Sequence, residues 1–254
     1  MIQLVLLGSG NVATHLFEAF STSKKVKIKQ VYNHSENNLS SFRSKIPVTT
    51  ELSELADADV YLLALKDDVL SEIAAQLESK QALIAHTSGS AGLNSLGKCQ
   101  RKGVFYPLQT FSKEKELDYS EIPFCLEANS SEDLELLKQM AGEISGKAYE
   151  ISSEQRKKIH LSAVFVCNFV NHMYSIGEEI CKENDIPFEI LQPLIMETAR
   201  KINDVSPAKV QTGPAIRNDK TTVEAHLKQL SDPQNREIYK LLTQAIQSFH
   251  GKKL

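Results

Sequence analysis

The chain has 254 residues, 41% of them apolar, enough to bury one large core or two modest ones, and two are expected. Its 29 basic and 32 acidic residues give a net charge of −3 and are spread along the sequence, which excludes the charge footprint of a nucleic-acid or anionic-membrane binder. No stretch approaches the roughly 20 apolar residues that a membrane helix needs, so small molecules are the expected partners. Cys99, Cys125, Cys167 and Cys181 form no CxxC pair and have no His at metal-ligand spacing, so they read as reduced core residues and no metal is expected. Residues 1–7 are apolar but only about one strand long, without a basic lead; this reads against a signal peptide and for a cytoplasmic protein.

The first apolar run, Ile2-Gln3-Leu4-Val5-Leu6-Leu7, ends in glycine and is followed over residues 12–20 by apolar positions at helical spacing. This predicts strand, turn and helix. Residues 26–32 predict a second strand, 37–45 a polar-faced helix and Val48 a brief third strand. Residues 60–65 are nearly all apolar, as expected of a central parallel strand covered on both faces. Asp67 is a candidate cap for a helix over 68–77, and residues 82–85 predict a fifth strand running into His86-Thr87-Ser88-Gly89. Strands at 104–106, 124–126 and 148–151 follow, with a helix over 131–144.

At Ser152 the pattern changes, because Ser152 and Gln155 stand at capping-box spacing and no strand pattern appears after them. Residues 153–183 predict one long helix. A second helix is expected to start at Pro187 and run to about residue 203, bent by Pro193. Helices near 221–230 and 233–250 complete the chain, after a long loop over 206–220. No internal repeat is apparent. The expected architecture is an α/β domain with a mainly parallel sheet over 1–152, followed by an all-α domain over 153–254.

The turn Gly8-Ser9-Gly10-Asn11-Val12-Ala13 has the Gly-x-Gly-x-x-Ala form and sits between the first strand and the first helix. There Gly8 makes the tight turn, Gly10 lets backbone approach a pyrophosphate, and Ala13 allows close packing of helix on strand. Unpaired N–H groups and the positive end of the helix dipole face the phosphates, so a dinucleotide is the expected ligand. About 20 residues further on, NAD sites place a carboxylate on the ribose hydroxyls, which would repel a 2′-phosphate. Here the residues are Asn33-His34-Ser35, all hydrogen-bond donors, with Arg43 and Lys24 in reserve. NADP is therefore expected, with NAD as the alternative.

Ligands of open parallel sheets lie beyond the carboxyl ends of the strands, which here are Ala64-Leu65-Lys66 and Thr87-Ser88-Gly89-Ser90. Ser88 has two readings, a donor near the nicotinamide or the cap of a short helix beginning near Ala91. His86 reads as packed at a strand end. Tyr106, Gln109 and Thr110 are candidates to line the same cleft. In the helical half, His160, Asn168 and Asn171 fall on nearly one helix face with Val164 between, and the two amides read either as functional groups or as helix-to-helix hydrogen bonds. Arg217 and Asp219 read as a loop ion pair or as ligand contacts, and Thr221 or Thr222 as a helix cap.

These residues resemble a group of Rossmann-like NADP oxidoreductases whose carboxyl-terminal half is known only as a domain of unknown function. The resemblance rests on the glycine loop, on His86-Thr87-Ser88-Gly89 and Pro107-Leu108-Gln109-Thr110-Phe111, and above all on Thr212-Gly213-Pro214 with Arg217, Asp219, Thr222, Val223, His226 and Leu227. It relates the chain to pyrroline-5-carboxylate reductase, 6-phosphogluconate dehydrogenase and deazaflavin-dependent NADP oxidoreductases. It implies a second domain of the 6-phosphogluconate dehydrogenase carboxyl-terminal type that packs on the Rossmann cleft and forms a homodimer through its helices. The Lys and Asn, four residues apart, that work on the hydride carbon in hydroxyacid-dehydrogenase relatives are missing: Lys157 is followed at that spacing by Leu161 and Lys158 by Ser162. The expected function is hydride transfer between NADP and a small carbonyl or imine compound, with Ser88, His160 and Asn168 as catalytic candidates. The alternatives are a non-catalytic dinucleotide sensor or scaffold, and hydride exchange with a deazaflavin.

Overall fold

The computed structural model describes residues 1–112 and 116–251. The chain divides into two compact units, Met1–Cys167 and Asn168–Leu254. In the first, strands β1 (Ile2–Leu7), β2 (Val26–Tyr32), β3 (Val48–Thr49), β4 (Val60–Leu63), β5 (Leu83–His86), β6 (Lys102–Pro107), β7 (Phe124–Ala128) and β8 (Ala148–Glu150) form one sheet in the order 3-2-1-4-5-6-7-8. Strands β1 to β6 are parallel; β7 pairs antiparallel with β6, and β8 runs parallel to β7. The order reverses between β1 and β4, which opens a crevice at their carboxyl ends.

The apolar strands are apolar throughout because both faces are covered. Leu4 and Leu6 of β1 pack with Val60 and Leu62 of β4 in one core cluster, whereas Val5 and Leu7 pack with Tyr61 and Leu63 in another. Helix α1 (Asn11–Ser21) sends Leu16, Phe17 and Phe20 into the first cluster, α2 (Ser40–Arg43) adds Phe42, and α3 (Asp67–Gln76) sends Leu70 and Ala74 into the second. Leu4, Leu6, Leu7 and Leu62 have no exposed surface, and each contributes about 2 kcal/mol of hydrophobic stabilisation. The expected polar-faced helix over 37–45 is a 3-10 turn, Glu36–Leu39, running into the single turn of α2.

Helix α3 begins one residue earlier than expected. Its N-cap is Lys66, without a side-chain bond, and Asp67 instead lies in the first turn, where its carboxylate accepts from the Ser90 hydroxyl. It still faces the positive end of the helix dipole. Helix α4 (Ser131–Gly142) packs Leu137 and Met140 into the first cluster, and α5 (Ser153–Ala163) starts with the expected capping box, Ser152 with Gln155. A π-helical stretch, Val164–Phe169, then separates α5 from α6 (Val170–Glu183) where one regular helix was expected. Its wider turn breaks the regular period on which the alignment of Asn168 and Asn171 with His160 depended.

The second unit continues with the 3-10 turn Phe188–Leu191, α7 (Gln192–Lys201), α8 (Pro207–Val210), α9 (Lys220–Gln229) and α10 (Pro233–Gly251). Pro193 does not bend a helix, because it sits in the first turn of α7, where a missing N–H costs nothing. The cap of α9 is Asp219 rather than either threonine: its carboxylate accepts from Thr222 N at 3.0 Å and Thr222 Oγ1 at 2.7 Å, bonds that hold its pKa below the usual carboxylate value. Among the described residues of this unit, only Cys181 and Ala215 are buried apolar residues, while Ile190, Leu194 and Leu241 are 66%, 63% and 68% exposed. No helix of the described residues is long and apolar enough to cross a membrane.

Candidate dinucleotide site and a histidine–tyrosine pair

The glycine loop leaves β1 at the crevice. Gly8 has φ +121°, and a Cβ there would stand 2.2 Å from the Ala64 carbonyl oxygen at the end of β4. Only glycine fits. Gly10 is different: its φ of −75° and ψ of −172° suit any residue, and a Cβ would meet nothing within 4 Å. The fold itself therefore does not require glycine at position 10. Gly10 is also the N-cap of α1, which among the described residues has no side-chain cap and no acidic residue in its first turn, so no side chain satisfies its first-turn N–H groups. Ala13 is fully buried under the sheet.

A cleft of about 970 Å³ starts at Gly8, Ser9 and Gly10 and runs past Asn33, His34 and Asn38 to Ala64, Leu65 and Lys66. The residues at the end of β2 divide into two kinds. Asn33 is buried and committed, its amide donating to Ser9 Oγ at 2.8 Å and its carbonyl oxygen accepting from Ser35 N at 2.9 Å. It ties the glycine loop to β2. His34 is exposed and lines the cleft, whereas Ser35 is half-buried and is not part of its lining. Of the two reserve cations, Arg43 pairs with Glu36, and Lys24 precedes β2, at the end of the strand away from the crevice. Glu51, Asp68 and Glu72 also line the cleft; the Tyr32 phenol at its wall is pushed up by burial first and by the charges of Glu51 and Glu72 next.

Asn11 uses its side chain on the protein. Its amide donates to the Phe111 carbonyl at 2.8 Å, and one turn later His15 bonds the Ser112 carbonyl and the Tyr119 hydroxyl, each at 2.9 Å. Through these bonds α1 holds residues 111–112 beside the glycine loop.

At the ends of β5 and β6 a second polar cluster forms. The Ser88 oxygen accepts from Ser90 N at 3.1 Å and Ala91 N at 2.9 Å, so its lone pairs serve the turn, and its hydroxyl lies 3.3 Å from Ser90 Oγ. These bonds close a turn and cap no helix: the next helical turn, Leu93–Leu96, starts two residues after Ala91, with Gly92 as its N-cap and no side-chain cap. His86 is fully buried between Ser88 N, which donates to Nδ1, and the Gly92 carbonyl; burial, then the Arg156 charge, pulls its pKa down to about 4. It is a neutral structural histidine at ordinary pH.

His160, half-buried on α5, places Nδ1 3.2 Å from the Tyr106 hydroxyl of β6, with the rings edge to face. Gly89 lies directly beneath: a Cβ there would come within 2.7 Å of His160 Nδ1 and 2.8 Å of Tyr106 Cζ. The structure thus brings Gly89, Tyr106 and His160 together, while Asn168 is an exposed residue of the π-helical stretch, in the second unit.

Sequence reasoning missed Arg156. It is fully buried, donating to Glu127 at 2.6 Å, to the Ala91 carbonyl at 2.5 Å and to Ser153 Oγ at 3.2 Å, with its Nε unpartnered among the described residues. It clamps α5 to β7 and to the loop after β5. A signal existed: Arg156 stands four residues before His160, on the same helix face.

A doubly wound sheet with a glycine loop at its switch point and an uncapped helix N-terminus beyond it defines a Rossmann-type dinucleotide-binding protein. Residues 3–88 match the family described as NADP oxidoreductase coenzyme F420-dependent, and residues 122–246 match a domain of unknown function, DUF2520. The chain is 43% identical to a protein from Bacteroides fragilis described as a putative NADP oxidoreductase, over 97% of this chain and 98% of that one, with a TM-score of 0.91. The chain belongs to this NADP oxidoreductase family. A Thermotoga maritima protein, 21% identical over 98% of this chain and 99% of that one with a TM-score of 0.72, shares the fold. So does a pyrroline-5-carboxylate reductase from Streptococcus pyogenes, 13% identical over 97% and 98% of the two chains with a TM-score of 0.65. No curated protein matches the sequence.

Proposed function

We propose that the protein is an NADP-dependent oxidoreductase that transfers hydride between the nicotinamide and a small carbonyl or imine compound. The observation that carries this reading is Gly10, a glycine with unstrained backbone and open space where a Cβ would be, at an uncapped helix N-terminus. A pyrophosphate lying against that backbone accounts for it, held by the N–H groups of α1's first turn. When bound, the nicotinamide supplies the hydride chemistry; the chain's residues bind, orient and exchange a proton. Gly8, Ser9, Gly10, Asn11, Val12 and Ala13 form the cradle, fixed to β2 by Asn33, and Ala64, Leu65 and Lys66 form the opposite wall. Ser88 and Gly89 shape the floor near the reacting carbon, and His160 exchanges the proton. Replacing His160 with Ala is expected to abolish turnover while dinucleotide affinity survives; equal loss of both would sink this assignment.

The absence of a carboxylate at residues 33–35, with His34 in the cleft lining, supports NADP. The acidic lining of Glu51, Asp68 and Glu72 favours NAD as the second reading, and direct titration separates them. The second unit's exposed Ile190, Leu194, Leu241 and Leu242, with almost no buried apolar residues of its own, support a homodimer built through these helices. Asn168 remains a candidate for substrate contact.

A further inference from the structure

We infer that Tyr106 is the positioning residue of the site, holding the neutral His160 ring with its proton on Nε2, so that Nε2 is the nitrogen that meets the reactant. The inference rests on the reading of His160 given above and adds which atom works and what fixes it.

The Tyr106 hydroxyl lies 3.2 Å from His160 Nδ1, and among the described residues neither group has another hydrogen-bond partner. A phenol in this place keeps its proton, because burial first, then neighbouring Cys125, pushes its pKa up to about 12. Two arrangements are open to a neutral imidazole. If Nδ1–H donated to the phenol oxygen, the phenol's own proton would have no acceptor in a half-buried site. If the phenol donates to Nδ1, both groups are satisfied and the ring proton sits on Nε2. Each arrangement makes one bond between the rings, and the second is preferred because it leaves no phenol donor without an acceptor. An unpaired polar group in such a place costs about 1–3 kcal/mol, enough to hold the ring largely in a single tautomer.

The surroundings prevent escape from this pairing. The absence of a side chain at Gly89 lets the two rings meet, since a Cβ would intrude on both at under 3 Å. One helical turn before His160, Arg156 is pinned to Glu127 and to the Ala91 carbonyl, which fixes α5 against the same loop.

The consequence for the reaction is specific. In the protonated ring both nitrogens carry hydrogen; Nδ1–H then turns to the phenol oxygen and Nε2–H faces the reactant. A bound dihydronicotinamide would supply hydride to the carbon of the C=O or C=N bond, and the imidazolium would give its Nε2 proton to the oxygen or nitrogen. The ring would be left as the Nδ1–H tautomer, which is disfavoured at rest, so that solvent protonates it again at Nε2. Tyr106 transfers nothing; it keeps Nδ1 engaged throughout.

The test is long-range proton–nitrogen NMR of the full chain labelled with ¹⁵N-histidine, with the His160 signals assigned by His160→Gln and recorded at alkaline pH. The wild type is expected to show a neutral His160 with its proton on Nε2. Tyr106→Phe, which keeps the ring, is expected to show averaged tautomers while binding NADPH within about twofold of the wild type. A wild-type ring with its proton on Nδ1 or averaged between the nitrogens, or a Tyr106→Phe spectrum unchanged from the wild type, would overturn the inference. Failure of the oxidoreductase reading is separable, because it appears as loss of NADPH binding by the wild type whatever the tautomer.

Discussion

Gly8 and Gly10 stand two residues apart in one loop, yet alanine at each should do opposite things. At Gly8 the backbone lies at φ +121°, where an L side chain is strained by about 1–2 kcal/mol. The added Cβ would also stand 2.2 Å from the Ala64 carbonyl oxygen, a backbone atom of the central sheet that cannot swing aside, and overpacking of this kind adds about 1–3 kcal/mol. Gly8→Ala should therefore destabilise the fold by about 4 kcal/mol. At Gly10 the backbone is unstrained and the Cβ meets nothing within 4 Å. Loss of unfolded-state freedom stabilises by about 0.4–1 kcal/mol, offset by alanine's poorer N-cap propensity, so Gly10→Ala should leave stability within about 1 kcal/mol. Its methyl group nevertheless occupies the approach to the helix N-terminus, and NADPH affinity should fall tenfold or more, about 1.4 kcal/mol. Denaturant unfolding and calorimetric titration of both variants measure the two quantities. A Gly10→Ala protein that binds NADPH as tightly as its parent would refute a pyrophosphate at this loop, and a fully stable Gly8→Ala protein would refute the packing described for β4.

Acid should weaken the fold through His86. Its pKa is about 4 in the folded chain against 6.5 for an unperturbed histidine, so between those limits the unfolded chain takes up a proton that the folded chain refuses. Stability attributable to this group is intact above about pH 6.5 and falls by about 3 kcal/mol as pH drops to 4, a slope that His86→Gln should remove in unfolding measured across that range. Arg156→Leu leaves the Glu127 carboxylate without its buried partner and should cost about 3–5 kcal/mol; the double variant Arg156→Leu/Glu127→Leu should recover much of that in denaturant unfolding, and no recovery would contradict the clamp. Aspartate at Leu194 and Leu241 should dissociate the proposed homodimer in sedimentation analysis, whereas a wild-type chain that sediments as a monomer would dispose of the dimer.

Much of the fold was readable because parallel strands covered on both faces carry a plain signal. Residues 60–63 and 83–86 alternate sides yet are apolar at nearly every position, and the glycine loop lies where strand period gives way to helix period. The departures have local causes. Pro193 lies inside an apolar run that reads as continuous, but the 3-10 turn before it places the proline in a first turn. The π-helical stretch 164–169 is a difference of about one residue per turn, below what apolar spacing resolves. In the site, Gly8, Gly10 and Ala13 were legible from motif chemistry and Tyr106 and His160 from their places at a strand end and on a helix face. That the Asn33 amide would serve Ser9, and the Asn11 amide the Phe111 carbonyl, depends on partners 24 and 100 residues away. Arg156 escaped because a buried guanidinium looks, in sequence, like any basic residue in a charged first turn.

The account stands or falls on the nicotinamide dinucleotide. Calorimetric titration of the wild-type chain with NADPH and with NADH should show saturable binding of one dinucleotide per chain, tighter for NADPH. Binding of neither would contradict it.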